Sequence, residues 1–159
     1  MKTWEMGMII DASQRDLLPG RFALVDGCFD PLHRGHVEYF KFAASQGVPV
    51  LCNVAADQYI VGHKKRPPLL PEADRLALID AMRAIDYVFL SRHGTAWSLR
   101  YFQPTYYVKG VDWRDCLPPE QVAVCAELGI TIVYADCPLN SSARILETFV
   151  ERRNGHQGF

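Results

Sequence analysis

Five short runs rich in β-branched and aromatic residues recur along the chain, at Phe22–Val25, Val48–Val54, Tyr87–Leu90, Tyr106–Val108 and Thr131–Tyr134, with helical stretches between them. Alternation at this interval admits few folds. A strand, a helix and a second parallel strand must connect right-handed, and successive units of that kind build a parallel sheet covered on both faces. Helices are expected near Gly35–Ser45, Glu72–Ala84, Thr95–Phe102, Pro119–Leu128 and Ser141–Arg152. In the last two, Val122, Cys125 and Ala126, then Ile145 and Phe149, recur at helical spacing. The expected fold is α/β: a single Rossmann-like, doubly wound parallel sheet of about five strands with helices on both faces.

A chain of 159 residues, 49% hydrophobic and 22% charged, suits one folded domain spanning residues 1–159. Residues 1–20 are expected to form an N-terminal arm or helix ending at Pro19-Gly20, and residues 153–159 a frayed tail. The formal net charge is -1 and no Lys/Arg run exceeds Lys64-Lys65-Arg66, which gives a nucleic-acid or membrane-surface role no electrostatic support. The apolar run at the start is broken by Glu5 and Asp11, too short for a signal or a membrane span, so a cytoplasmic protein is expected. Five scattered cysteines without a C-x-x-C pair read as reduced thiols, with Cys28 the accessible one. Neither G-x-G-x-x-G nor G-x-x-x-x-G-K-[ST] occurs, which removes the main support for a dinucleotide dehydrogenase or a P-loop NTPase.

The first apolar run leads directly into Gly27-Cys28-Phe29-Asp30-Pro31-Leu32-His33-Arg34-Gly35-His36, which reads as a strand, a tight turn and a helix start. A helix N-terminus offers unpaired N–H groups and a positive dipole end. His33 and His36 fall on one face of its first turn, with Gly35 between them leaving the backbone open to a ligand. The arrangement suits a phosphoryl group. The competing reading makes His33 a cap and His36 a packing residue. In an open α/β sheet the ligand lies at the carboxyl ends of the strands, and the segments 26–33, 57–66, 109–115 and 136–142 all follow strands and converge there.

These residues resemble the signature of the cytidylyltransferase-like nucleotidyltransferases, Gly-x-Phe-Asp-x-x-His-x-Gly-His after the first strand, with every fixed position met. Val108-Lys109-Gly110-Val111-Asp112-Trp113 is similar to the family's element after its fourth strand, and Asn140-Ser141-Ser142-Ala143-Arg144-Ile145 to the one that opens its last helix. The resemblance covers about residues 22–150. It implies transfer of a nucleotidyl group from a nucleoside triphosphate to a small phosphorylated acceptor, with pyrophosphate released. By that resemblance His33, His36 and Lys64 are catalytic. Gly27, Cys28, Phe29, Asp30, Gly35, Lys109, Gly110, Asp112, Trp113, Ser141, Ser142 and Arg144 hold the nucleotide, and Asp57, Lys65 and Arg75 serve the acceptor. Asp30 is expected to shape the turn by bonding N–H groups near Gly27. Ser141 and Ser142 have a helix-cap reading beside the phosphate one, and Trp113 a lid reading beside a base contact. Magnesium accompanies the triphosphate, and no residue is assigned to hold it. A homodimer is compatible with this reading; nucleic acid and membrane are not expected partners.

Three positions depart from the family pattern. Ala55-Ala56-Asp57 stands where an amide or hydroxyl usually precedes the aspartate, and Arg34 and Arg144 add planar donors. Within the family, residues 99–113 and the Lys64 to Pro67 step are most similar to the domain that adenylylates heptose 1-phosphate, which implies ATP and a sugar 1-phosphate. A glycerol-3-phosphate cytidylyltransferase type using CTP is the alternative, to which Asp112-Trp113 is also close. A nucleotide-binding protein without turnover would be favoured by loss of a histidine or of the loop lysine, yet His33, His36 and Lys64 are present.

Overall fold

Period-two alternation along the strands sends neighbouring side chains to opposite faces of one sheet. Ala23 and Val25, with Val50, Cys52, Val54 and Val108, line one buried layer, while Leu24, Leu51 and Tyr107 line the other. The structure, a computed structural model, describes residues 7–137 and 141–155. Its strands are β1 (Met8–Ile10), β2 (Ala23–Gly27), β3 (Val50–Ala55), β4 (Tyr87–Ser91), β5 (Tyr106–Gly110) and β6 (Thr131–Ala135). They form one six-stranded sheet in the order β1-β4-β3-β2-β5-β6, parallel at every pairing.

Helix α1 (Arg34–Ala44) lays Tyr39, Phe40 and Ala43 on the first layer, where α2 (Asp57–Tyr59) is followed by a π-turn at Ile60–Lys64 and by α3 (Glu72–Asp80), which adds Ile79. Helices α4 (Thr95–Phe102) and α5 (Pro119–Leu128) cover the other layer with Ala96, Leu99, Phe102, Val124 and Cys125. Helix α6 (Ser142–Gly155) buries none of its residues. Among the described residues no helix is long and apolar enough to cross a membrane.

The sheet therefore has six strands where five were expected. The sixth, β1, lies within the segment expected to be an arm or helix. It extends the sheet at the outer edge of β4; its three residues are all apolar but only Ile10 is buried, and so short a run does not mark a strand. A 3₁₀ turn at Ala12–Leu17 follows, capped where the Ser13 N–H donates to Asp11 Oδ1 at 2.8 Å. Strand β3 starts at Val50 because Pro49 has no N–H to give a ladder; its carbonyl instead accepts from the Ala23 N–H at 2.8 Å. The helix expected to reach Ala84 ends at Asp80, and residues 153–155 belong to α6. The first six residues, Asn140 and the rest of the expected tail lie outside the described residues.

The chain leaves β2 toward β3 on one side and returns to β5 on the other, so the sheet's switch point falls between β2 and β5. The loops at that end are tied by two buried groups. Asp30 accepts from the Leu69 and Leu70 N–H groups at 2.8 Å and from Arg66 Nη1 at 2.7 Å, so it clamps the signature turn to the 66–70 loop and does not bond N–H groups near Gly27 as expected. These donors hold its carboxyl below the usual range despite burial, which acts the other way.

Arg75 is the second tie. Its side chain is fully buried and donates to the carbonyls of Leu70, Cys28 and Ala55 and to Asp57 Oδ1, at 2.7–3.1 Å. Arg75 and Asp57 thus brace three loops. Arg75→Met leaves those carbonyls and the Asp57 carboxylate without their donor, and we expect a loss of about 3 kcal/mol in urea unfolding. A change below about 1 kcal/mol would show that the brace is not needed.

Candidate active site

The turn after β2 is shaped by one glycine and one aromatic ring. Phe29 has φ +52°, and its ring folds back so that a Cβ on Gly27 would lie 3.0 Å from Phe29 Cζ. The ring then meets His36 edge-on at 5.0 Å and Phe40 at 5.1 Å, fixing the first turn of α1 from below. His33 is the extended N-cap residue of α1, one position before the helix begins.

The two imidazoles stack, with centroids 3.7 Å apart and planes 22° from parallel. The His33 N–H donates to His36 Nδ1 at 3.3 Å, which puts the proton of the neutral His36 ring on Nε2. His33 Nδ1 is buried without a hydrogen-bond partner among the described residues. Burial, and then the neighbouring His33, push the His36 pKa down to about 3, and burial also lowers His33. At neutral pH the pair is uncharged and offers ring N–H donors.

A cavity of about 320 Å³ opens over the carboxyl ends of β2 and β5. Gly27, Cys28, Phe29, His33, Gly35 and His36 form one wall. Lys64 closes a second, and Lys109, Gly110, Asp112 and Trp113 close a third. Lys64 ends the π-turn before Lys65, whose φ of +55° turns the chain away. Lys109 is already engaged: its ammonium donates to Asp26 Oδ1 at 2.8 Å and lies 4.4 Å from the centre of the Trp113 ring. Burial raises the Cys28 thiol above its usual value, opposed by the charges of Lys64, Arg75 and Arg66.

Other expected site residues are not among those that line the cavity. Lys65 and Asp30 are absent from its wall, as are Asp57 and Arg75. Ser141 is a helix cap, its Oγ accepting from the Arg144 N–H at 3.1 Å, and Ser142 Oγ donates to the Pro31 carbonyl at 2.8 Å. Neither serine lines the cavity, nor does Arg144. The fourth wall is one that sequence reasoning missed: Asn53, Tyr59, Ser91, His93 and Thr95, with Asp26 at the floor. All six lie within β2, β3 and β4 or no more than four residues after them, and strand-end position is the signal that could have found them.

The depressed histidine has a thermodynamic consequence. An unfolded chain takes up a proton on His36 as the pH falls through about 6.5, while the folded chain does so only near 3, so stability declines across that window. Its steepest slope is about 1.4 kcal/mol per pH unit for one proton. Urea unfolding from pH 6.5 to 4.5 should therefore show a smaller slope in His36→Gln than in the parent. An unchanged slope would contradict the buried, neutral imidazole.

The cytidylyltransferase-like family pattern matches residues 24–148. The chain is 41% identical over 150 residues to an FAD synthase of Methanoregula boonei, a match covering 86% of this chain and 95% of that protein. It is 31% identical over 121 residues to the bifunctional protein HldE of Halorhodospira halophila, covering 75% of this chain. That segment is 24% of HldE, so the chain spans about a quarter of the length of this relative. A lipopolysaccharide core biosynthesis protein from Thermoplasma volcanium superposes with a TM-score of 0.63 at 26% identity, covering 75% of this chain and 98% of that one. Five parallel strands in the order β4-β3-β2-β5-β6, a histidine pair at the start of α1 and a match over 24–148 place this chain in the cytidylyltransferase-like family.

Proposed function

We propose that the chain is a nucleotidyltransferase that moves an adenylyl group from ATP to a small phosphorylated acceptor. One observation carries this reading: a stacked, uncharged imidazole pair stands at the N-terminus of α1, in the same cavity as Lys64. A phosphate oxygen of the acceptor attacks the α-phosphorus, the new P–O bond forms opposite the bridging oxygen, and pyrophosphate departs with the electron pair of the broken bond. The acceptor phosphate is already ionised, so no general base is needed.

The work left to the protein is alignment and neutralisation of charge on the equatorial and leaving oxygens. His36 donates from Nε2, His33 donates beside it, and the free N–H groups of α1 add to both. Lys64 meets the charge that grows on the leaving pyrophosphate, and the base lies against Asp112 and Trp113. Magnesium carried on the triphosphate oxygens neutralises further charge there; the Asp26 carboxylate is committed to Lys109 and Thr95, and no residue of the chain is assigned to the ion.

For the acceptor, the resemblance of residues 99–113 and the match to HldE support a sugar 1-phosphate of heptose type. The fourth wall supports it too, since Asn53, Ser91 and Thr95 can bond hydroxyl groups. A second reading rests on the near full-length match to an FAD synthase. FAD is FMN joined to AMP, so the acceptor would be FMN, and the Tyr59 ring on that wall, backed by His63 at 4.0 Å, favours a planar group there.

Pyrophosphate release, measured with ATP and CTP against heptose 1-phosphate, FMN and glycerol 3-phosphate, tests the reading. ATP with the first acceptor is expected to turn over; ATP with FMN alone supports the second reading, and CTP with glycerol 3-phosphate alone contradicts both. His33→Ala and His36→Ala should each lower kcat by about 10²–10³-fold with the circular-dichroism spectrum unchanged. Lys64→Ala should lower kcat more than it raises the KM for ATP, and Lys65→Ala should do less. Near-normal turnover in both histidine variants would overturn the assignment.

A further inference from the structure

Lys109 and Asp26 are buried together at the cavity floor, with side chains 8% and 10% exposed. The ammonium lies 2.8 Å from Asp26 Oδ1, so its charge is balanced before any ligand arrives. Asp26 is itself held on two more sides. Thr95 Oγ1 donates to its Oδ2 at 2.7 Å, and the Tyr107 hydroxyl lies 3.2 Å from Oδ1. The lysine therefore cannot swing toward a phosphate without leaving a buried carboxylate unpaired, which is costly. Its second contact faces the solvent side of the cavity: the Trp113 ring, 39% exposed, packs over the ammonium at 4.4 Å.

We propose that the Asp26–Lys109 pair is a positioning device, which holds the Trp113 ring by a cation–π contact as one wall of the nucleobase site and makes no phosphate contact of its own. The inference rests on the reading of the cavity as a nucleotide site. An ammonium under one face of an indole leaves the other face available to a base, and a partly desolvated contact of this type is strong enough to fix the ring. The 3₁₀ turn at Val111–Trp113 has no buried residue to fix it otherwise. Lys109 acts through Trp113, and Lys64 remains the lysine for the phosphates.

The test separates base from phosphate. Binding of ATP and of inorganic tripolyphosphate, each with magnesium, is measured by calorimetry for the parent, Lys109→Met, Trp113→Ala, the double variant and Lys64→Ala. Lys109→Met should weaken ATP about tenfold, leave tripolyphosphate within about twofold, and add nothing in the Trp113→Ala background. Lys64→Ala should weaken both ligands. Loss of tripolyphosphate affinity in Lys109→Met, or effects of Lys109→Met and Trp113→Ala that simply add, would overturn the proposal. Should Lys109→Met fail to fold, Trp113→Phe and Trp113→Leu decide: the aromatic variant should keep most ATP affinity and the aliphatic one lose about tenfold, and equal losses would overturn it. A parent chain that binds neither ligand removes the nucleotide reading and this inference together; binding without coupling removes only the inference.

Discussion

The guanidinium of Arg75 is the contact on which the cavity's shape depends. From one buried position it reaches the Cys28 carbonyl in the signature turn, the Ala55 carbonyl at the end of β3, the Leu70 carbonyl and the Asp57 carboxylate. Loops distant in sequence are thereby fixed to one another by a planar group whose fork of donors a lysine could not supply. Asp30 repeats the device with opposite charge, binding Arg66 and the Leu69 and Leu70 N–H groups. Glu72 completes the frame, accepting from the Asp57 N–H at 2.9 Å and from Arg92 at 2.7 Å. The loop that carries Lys64 is thus held at both ends.

Within that frame the charges are sorted by burial. Asp26 and Lys109 cancel at the floor, and the imidazoles are uncharged, which leaves the α1 amides and Lys64 as the electropositive side of the cavity. Positive potential confined to one wall orients an elongated anion along it. In the proposed function a triphosphate follows that gradient, with its base toward Trp113 and its phosphates toward the histidines and Lys64. The proposed acceptor then takes the wall formed by Asn53, Tyr59, Ser91, His93 and Thr95.

Five strands, the helices between them and the site's location were legible in the sequence, because alternating apolar runs and a histidine pair after the first run admit little else. Strand β1 was not, since Met8-Ile9-Ile10 is an apolar run too short to tell a strand from an arm or a helix. Arg75 and Asp30 were assigned to ligands through the family resemblance, and only the fold brings the carbonyls and N–H groups of other segments around them. Lys109 was read as a nucleotide contact from the resemblance of residues 108–113, and its partner Asp26 lies 83 residues away in sequence. The acceptor wall escaped notice because its residues come singly from the ends of different elements, with no spacing to mark them.

The central claim is that an uncharged, oriented imidazole pair supplies the donors for phosphate charge, and side-chain ¹⁵N–¹H NMR of His33 and His36 tests it most directly. The account predicts a His36 ring protonated on Nε2 with Nδ1 bare, titrating well below pH 6 in the free protein, and a change at both rings when a non-hydrolysable ATP analogue and magnesium are added. A His36 ring protonated on Nδ1, or titrating near 6.5 with no response to the analogue, would contradict it.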